Sequence, residues 1–177
     1  MMILPVYIAT RFQSAQVQHN YILCPKSRCQ FLLIFCAICA VFDGKELAIY
    51  DEGEKVAEFA AVSGKPGYQS PEYQNKKDTG PIPEGTYVAR KKDFQNRDDY
   101  GPIKKYTSWP GGERGWGKNR VWLEPSKETN VFGRGGFSIH GGAEPGSAGC
   151  IDLTSSMDNF TKWFENNGHD LIINVKY

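Results

Sequence analysis

Only one stretch of this chain carries an apolar repeat of helical period. Met157, Phe160, Trp163 and Phe164 fall at i, i+3, i+6 and i+7 and so share one face. Ser155 stands where a cap belongs, with Asp158 three residues on, near the positive end of the helix. Asn166-Asn167-Gly168 supplies the stop. Nineteen glycines and ten prolines cut the remainder of the 177 residues into short pieces. That excludes a helical bundle and leaves short strands joined by turns. The expected class is mainly β with one packed α-helix.

The strands can be read from Val41 onward. Glu46–Tyr50 and Lys55–Val62 flank Asp51-Glu52-Gly53-Glu54 and read as a hairpin. Thr86–Lys91, Arg120–Glu124, Gly136–His140 and Asp170–Lys176 read as further strands. Two long loops, Ser63–Gly85 and Asp93–Asn119, lie among them. Loops of that length in a compact domain usually have work to do. In the second, Tyr100, Tyr106, Trp109 and Trp116 either line a groove or pack the loop down. Trp122 and Trp163 are expected in the core.

Residues 1–41 do not follow this pattern. Cys24, Cys29, Cys36 and Cys39 crowd into them, whereas Cys150 is alone in the rest of the chain. Phe31 to Phe42 is an unbroken apolar run, shorter than the ~20 residues that cross a membrane. Lys26 and Arg28 precede it and Cys39-Ala40 offers small residues at its end, as in a signal peptide. Residues 1–41 are therefore read as a signal-like leader or as an extension outside the working protein, and residues 42–177 as the globular domain. A zinc or disulfide cluster is disfavoured because two of the four cysteines sit inside the apolar run. The net charge of +1, with lysine pairs scattered along the chain, argues against a nucleic-acid partner.

The chemistry gathers in one segment. His140 ends an expected strand, and nine residues separate it from Cys150, all of them Gly, Ala, Ser or Pro except Glu144. A loop so small and pliable can fold back and bring imidazole and thiol together. A thiol with a pKa near ~8.5 is mostly protonated at neutral pH, and a neighbouring histidine lowers it and takes its proton. Small residues around Cys150 leave backbone N–H groups exposed for an oxyanion. On residue types alone the alternatives stand: a lone cysteine as a small buried hydrophobe and a lone histidine as a structural one. His169, between the helix stop and the last strand, is expected outside the site.

His140-Gly141 followed by Ser147-Ala148-Gly149-Cys150-Ile151 resembles the active-site signature of the L,D-transpeptidase (YkuD-like) superfamily. Thr79-Gly80-Pro81-Ile82-Pro83-Glu84-Gly85-Thr86-Tyr87 is similar to that family's turn into a strand, and Phe42-Asp43-Gly44-Lys45 with Tyr50-Asp51 to its opening hairpin. The resemblance covers residues 42–177. Two departures stand out: Ala148 replaces the family's second histidine, and Asp152 replaces an arginine. With the short His-to-Cys gap, these features look most like the type VI secretion L,D-transpeptidase effectors.

The resemblance implies an L,D-transpeptidase-like β-sandwich or partly open barrel acting on the peptidoglycan tetrapeptide stem. Cys150 would be the nucleophile and His140 the base, then the acid. Ser147, Gly149 and Gly141 would shape the substrate and oxyanion side, and Arg134 would stand in for the missing arginine. No metal and no cofactor is implied. An immunity protein and a secretion-system component are the implied partners besides the stem peptide, with action in the bacterial periplasm. Two alternatives stay open, a housekeeping L,D-transpeptidase of the producing cell and a non-catalytic peptidoglycan-binding module. A papain-type peptidase is disfavoured because there the cysteine precedes the histidine.

Overall fold

The structure, a computed structural model, describes residues 38–177. The leader reading for residues before Ile38, and with it Cys24, Cys29 and Cys36, lies outside the described residues. Eight strands form one sheet: β1 Cys39–Phe42, β2 Glu46–Asp51, β3 Glu54–Ala60, β4 Gly85–Asn96, β5 Asn119–Pro125, β6 Ser138–His140, β7 Ile151–Asp152 and β8 Leu171–Val175. Their order across the sheet is β3-β2-β1-β8-β4-β5-β6-β7. The two edges meet. Val62, just beyond β3, exchanges both backbone hydrogen bonds with Asp152 of β7, at 2.9 and 2.8 Å. The sheet therefore curls onto itself as a partly closed barrel.

The sheet takes in three residues, Cys39–Val41, upstream of the expected start at Phe42. β1 lies between β2, antiparallel, and β8, parallel. Cys39, Ala40 and Phe42 are buried there. A strand covered on both faces reads as a continuous apolar run, and this is why the end of the Phe31–Phe42 run looked like a leader. β8, read as a last strand, is also central, and its alternation buries Leu171, Ile173 and Val175.

One helix, α3 Met157–Asn167, packs on the sheet. Its repeat does as expected. Met157, Phe160 and Phe164 are buried, and Phe160 meets Phe59 of β3 edge to face at 5.5 Å. Each such burial stabilises by roughly 1.5–3 kcal/mol. Gly168 ends the helix in the left-handed region. The start differs from the expectation: Thr154–Ser156 form a 3-10 turn, the cap is Ser156, and no side chain caps the helix. The loop Asp93–Asn119 is also more ordered than expected. β4 runs on to Asn96, and two short helices follow, α1 Pro102–Ser108 and α2 Gly112–Trp116. Among the described residues no helix is long and apolar enough to cross a membrane.

Candidate active site

β6 and β7 are parallel neighbours, with Ile139 level with Ile151 and His140 level with Asp152. The chain between them is only residues 141–150, short for a parallel connection. The register has a direct consequence. Cys150 arrives one residue before β7, level with Ser138. Ser138 and His140 alternate onto the same face of β6, so serine, histidine and cysteine converge. Ser138 Oγ donates to Cys150 Sγ at 3.3 Å, and the thiol reaches the Gly136 carbonyl at 3.7 Å. His140 is 1% exposed and Cys150 3%.

The imidazole is locked. Its Nδ1 lies 2.5 Å from the Gly141 carbonyl. A carbonyl only accepts, so Nδ1 carries the proton and Nε2 is the basic nitrogen. Nε2 is buried, with no ordinary hydrogen bond to any described residue. Burial alone would lower the imidazole pKa and raise that of the thiol. The attraction of each for the charged form of the other outweighs it, so His140 lies above its usual value and Cys150 below. The hydroxyls of Ser138 and Ser147 lower the thiol further. The arrangement favours a thiolate beside an imidazolium.

Asp152 organises the turn that carries Cys150. It is almost wholly buried, and its carboxylate accepts from the backbone N–H of Gly146 and of Thr154, both at 2.9 Å. The Ser147 carbonyl accepts from Gly64 N–H and from Gly149 N–H, both at 2.8 Å, tying the turn to the loop after β3. Gly149 has φ +91°, and a Cβ there would meet Arg134 at 2.5 Å. Gly141 lies so close to the start of α3 that a Cβ would meet Met157 at 2.8 Å. Both positions admit little but glycine.

Arg134 lies against Gly149, beside the thiol, but most of its donors are committed. It donates to the carbonyls of Gln74, Pro81 (2.6 Å) and Gly80 (2.8 Å), strapping the 74–81 loop to the site. Trp116 of α2 covers the imidazole, with ring centroids 4.8 Å apart. Of the loop aromatics, Trp109 is buried and Tyr106 is exposed; Trp122 and Trp163 are only partly buried. His169 is exposed and stands apart. A cleft of about 540 Å³ runs along Gly141–Ala143, bordered by Arg114 and Lys118 on one side and by Ser155 and Asp158 on the other. Among the described residues, no three His, Cys, Asp or Glu side chains are grouped to hold a metal ion.

Sequence reasoning missed three residues of this arrangement. Ser138 had a signal, since it precedes His140 by two on a strand. Asp152 was noted only as a missing arginine. Arg120 had no signal until the register placed it opposite His140.

The Tlde1 domain family matches residues 57–176, and the chain belongs to that family, the type VI secretion L,D-transpeptidase effectors. Among solved structures it is similar to Bd1075 of Bdellovibrio bacteriovorus, with 16% identity and a TM-score of 0.48 over 79% of this chain and 47% of that one. It is also similar to an L,D-transpeptidase from Mycobacterium smegmatis, with 19% identity and a TM-score of 0.44 over 80% and 59% of the two chains. Mycobacterium tuberculosis L,D-transpeptidase 1 gives 19% and 0.44 over 80% and 62%. The chain thus spans about half to three-fifths of the length of these proteins. No curated protein sequence matches it.

Proposed function

We propose that the chain is a cysteine-dependent L,D-carboxypeptidase and L,D-transpeptidase of the peptidoglycan tetrapeptide stem. Cys150 thiolate attacks the carbonyl that joins the L-centre of the third-position diamino acid to D-Ala. The oxyanion rests on the backbone N–H of Cys150, since that of Gly149 is bonded to the Ser147 carbonyl. As the C–N bond breaks, the His140 imidazolium gives its proton to the departing D-Ala amine. The product is an acyl-enzyme thioester. Water, deprotonated by the now neutral His140, releases a tripeptide stem and restores the thiol. A D-amino acid or a second stem supplies an amine instead and forms a new amide. Arg134 sets its positive charge beside the turn, on the side where the stem's terminal carboxylate would lie.

The observation that carries this reading is the buried His140–Cys150 pair, with Nδ1 held by its own backbone so that Nε2 is left for chemistry. A binding module has no need of a lowered thiol. Family membership supports delivery by a type VI secretion system into a rival's periplasm, with an immunity protein guarding the producer.

The test is to incubate the full chain, wild type beside Cys150→Ala, with purified tetrapeptide muropeptides, with and without a D-amino acid. Mass spectrometry reads the products. Loss of D-alanine with wild type alone is expected, as is exchange when the D-amino acid is present. Unchanged muropeptides with folded wild type would overturn the reading and leave a binding module. For the effector role, a periplasm-directed copy should arrest a sensitive host while a cytoplasmic copy does not; equal growth of both hosts would count against it.

A further inference from the structure

Arg120 is 4% exposed, yet among the described residues its hydrogen-bond partners include no carboxylate. Its guanidinium lies over three indoles, 4.2 Å from Trp109, 4.5 Å from Trp122 and 5.1 Å from Trp116. Nε donates to Gln95 Oε1 at 2.8 Å and one terminal nitrogen to the Ser108 carbonyl at 2.9 Å. Those partners are neutral. Burying a cation is costly unless something negative or polarisable compensates it. The indole faces do part of this. A plug of the same volume would fill the space with no charge at all.

The register says where that charge points its effect. Arg120 of β5 pairs with His140 of β6, which pairs with Asp152 of β7, so the three lie in one row across the sheet. Trp116 touches both the guanidinium and the imidazole. Burial works against the Arg120 charge, whereas Tyr100 and Cys150 favour it. The charged and titratable groups around the pair are thus Arg120 on β5, Asp152 on β7 and Arg134 before β6, with Tyr100 facing Arg120 from the α1 side. Asp152 already accepts two backbone N–H groups, and Arg134 is strapped to three carbonyls.

We propose that Arg120 is a positioning residue for the His140–Cys150 pair: its tryptophan cage holds a buried positive charge in the row beside the imidazole, where it sustains the Cys150 thiolate. The proposal rests on the reading of that pair as the reacting centre. Its test uses no peptidoglycan, so the two can fail separately.

The rate of Cys150 alkylation by iodoacetamide, followed against pH by intact mass, is the measurement. Wild type, Arg120→Met, Arg120→Gln and Arg120→Lys are compared, with Cys150→Ala to subtract other cysteines and near-ultraviolet dichroism to confirm folding. Removing the cation raises the thiol, so labelling of the neutral variants at neutral pH should slow about three- to tenfold, with the midpoint moved to higher pH. Arg120→Lys keeps a cation in the cage, though not the planar fork stacked on the indoles, and should stay closer to wild type than either neutral variant. Neutral variants that titrate like wild type would overturn the proposal and leave Arg120 as packing. So would a lysine variant shifted as far as the neutral ones. Should neither neutral variant fold, the lysine midpoint decides: unchanged supports the proposal, raised overturns it.

Discussion

Two glycine-rich segments pass His140, and they are held in opposite ways. Residues 141–150 carry Cys150 and are fixed by directional bonds: the Asp152 carboxylate, the Ser147 carbonyl, and the His140 carbonyl accepting from Leu153 N–H at 2.8 Å. Residues 97–118 carry α1 and α2 and are fixed by surfaces: buried Trp109, the Arg120 cage and Trp116 on the imidazole. Their outer side is open, with Ile103 82% and Tyr106 85% exposed. Hydrogen bonds set an atom's position sharply, whereas aromatic packing excludes water over a wide area and tolerates small shifts. The first segment aims the sulfur; the second covers the ring that serves it.

The largest effects follow from removing what is aimed. Cys150→Ala should abolish product in the muropeptide assay, since no other described nucleophile lies level with Ser138. His140→Ala should lower turnover by about 10²–10⁴ while leaving the fold, checked by dichroism, in place. Substantial turnover in either variant would remove the 141–150 segment from its role.

Next come the clamps. Asp152→Ala strands two half-buried N–H groups that bonded to a carboxylate, and should cost roughly 1–3 kcal/mol by urea unfolding. Asp152→Asn keeps one oxygen acceptor and should cost about half as much. Gly149→Ala forces a β-carbon onto Arg134 in a left-handed conformation and should cost roughly 1–3 kcal/mol, with Cys150 labelling slowed as the turn shifts. If Asp152→Ala left both stability and labelling intact, the contrast between bonded and packed segments would collapse.

The pair's electrostatics give a pH signature. The thiol is lowered and the imidazole raised, each chiefly by the other against the pull of burial. Each shift therefore favours the thiolate–imidazolium form, carrying the sulfur's protonation to lower pH and the imidazole's deprotonation to higher pH. Turnover should follow a bell: it falls at low pH as the sulfur takes a proton, and at high pH as the imidazole loses the one the leaving amine needs. Cys150 labelling should stay fast below the usual thiol range, and His140→Ala should push it back up. A labelling midpoint at the ordinary thiol value in wild type would break this account.

The parts of the molecule legible in sequence were those with local causes. The repeat Met157–Phe164 made α3, and Asp51–Glu54 made the hairpin, because each needs only neighbours in the chain. β1 was hidden because a strand buried on both faces has no alternation to read. α1 and α2 were hidden among glycines and prolines; tertiary anchoring at Trp109 holds them, and no local repeat announces them. At the site, His140 and Cys150 stood out as residue types; Ser138 was missed, although strand period places it on the face of His140. Asp152 and Arg134 carried incomplete cues. An acid where relatives have a base suggested a lost substrate contact, whereas its carboxylate is turned to backbone N–H groups. An arginine in a glycine-rich loop suggested a substrate contact, and nothing local showed that its fork also holds carbonyls 53 to 60 residues away in sequence. Roles of that kind depend on register, and register is long-range.

The smallest expected effect tests whether the two segments are independent. Arg114 of α2 and Glu144 of the 141–150 turn form an ion pair across them, with side chains 77% and 70% exposed. Water screens such a pair, and holding two long side chains together has an entropic cost that offsets most of the attraction. The backbone bond beneath it, Ala143 N–H to the Arg114 carbonyl at 2.8 Å, survives any side-chain change. Arg114→Ala should therefore alter stability by less than about 0.5 kcal/mol and leave Cys150 labelling within experimental scatter of wild type. A several-fold change in labelling would mean that the packed segment steers the bonded one through this exposed contact. The turn would then take its aim partly from α2, and Asp152→Ala and Arg114→Ala should fail to add when combined.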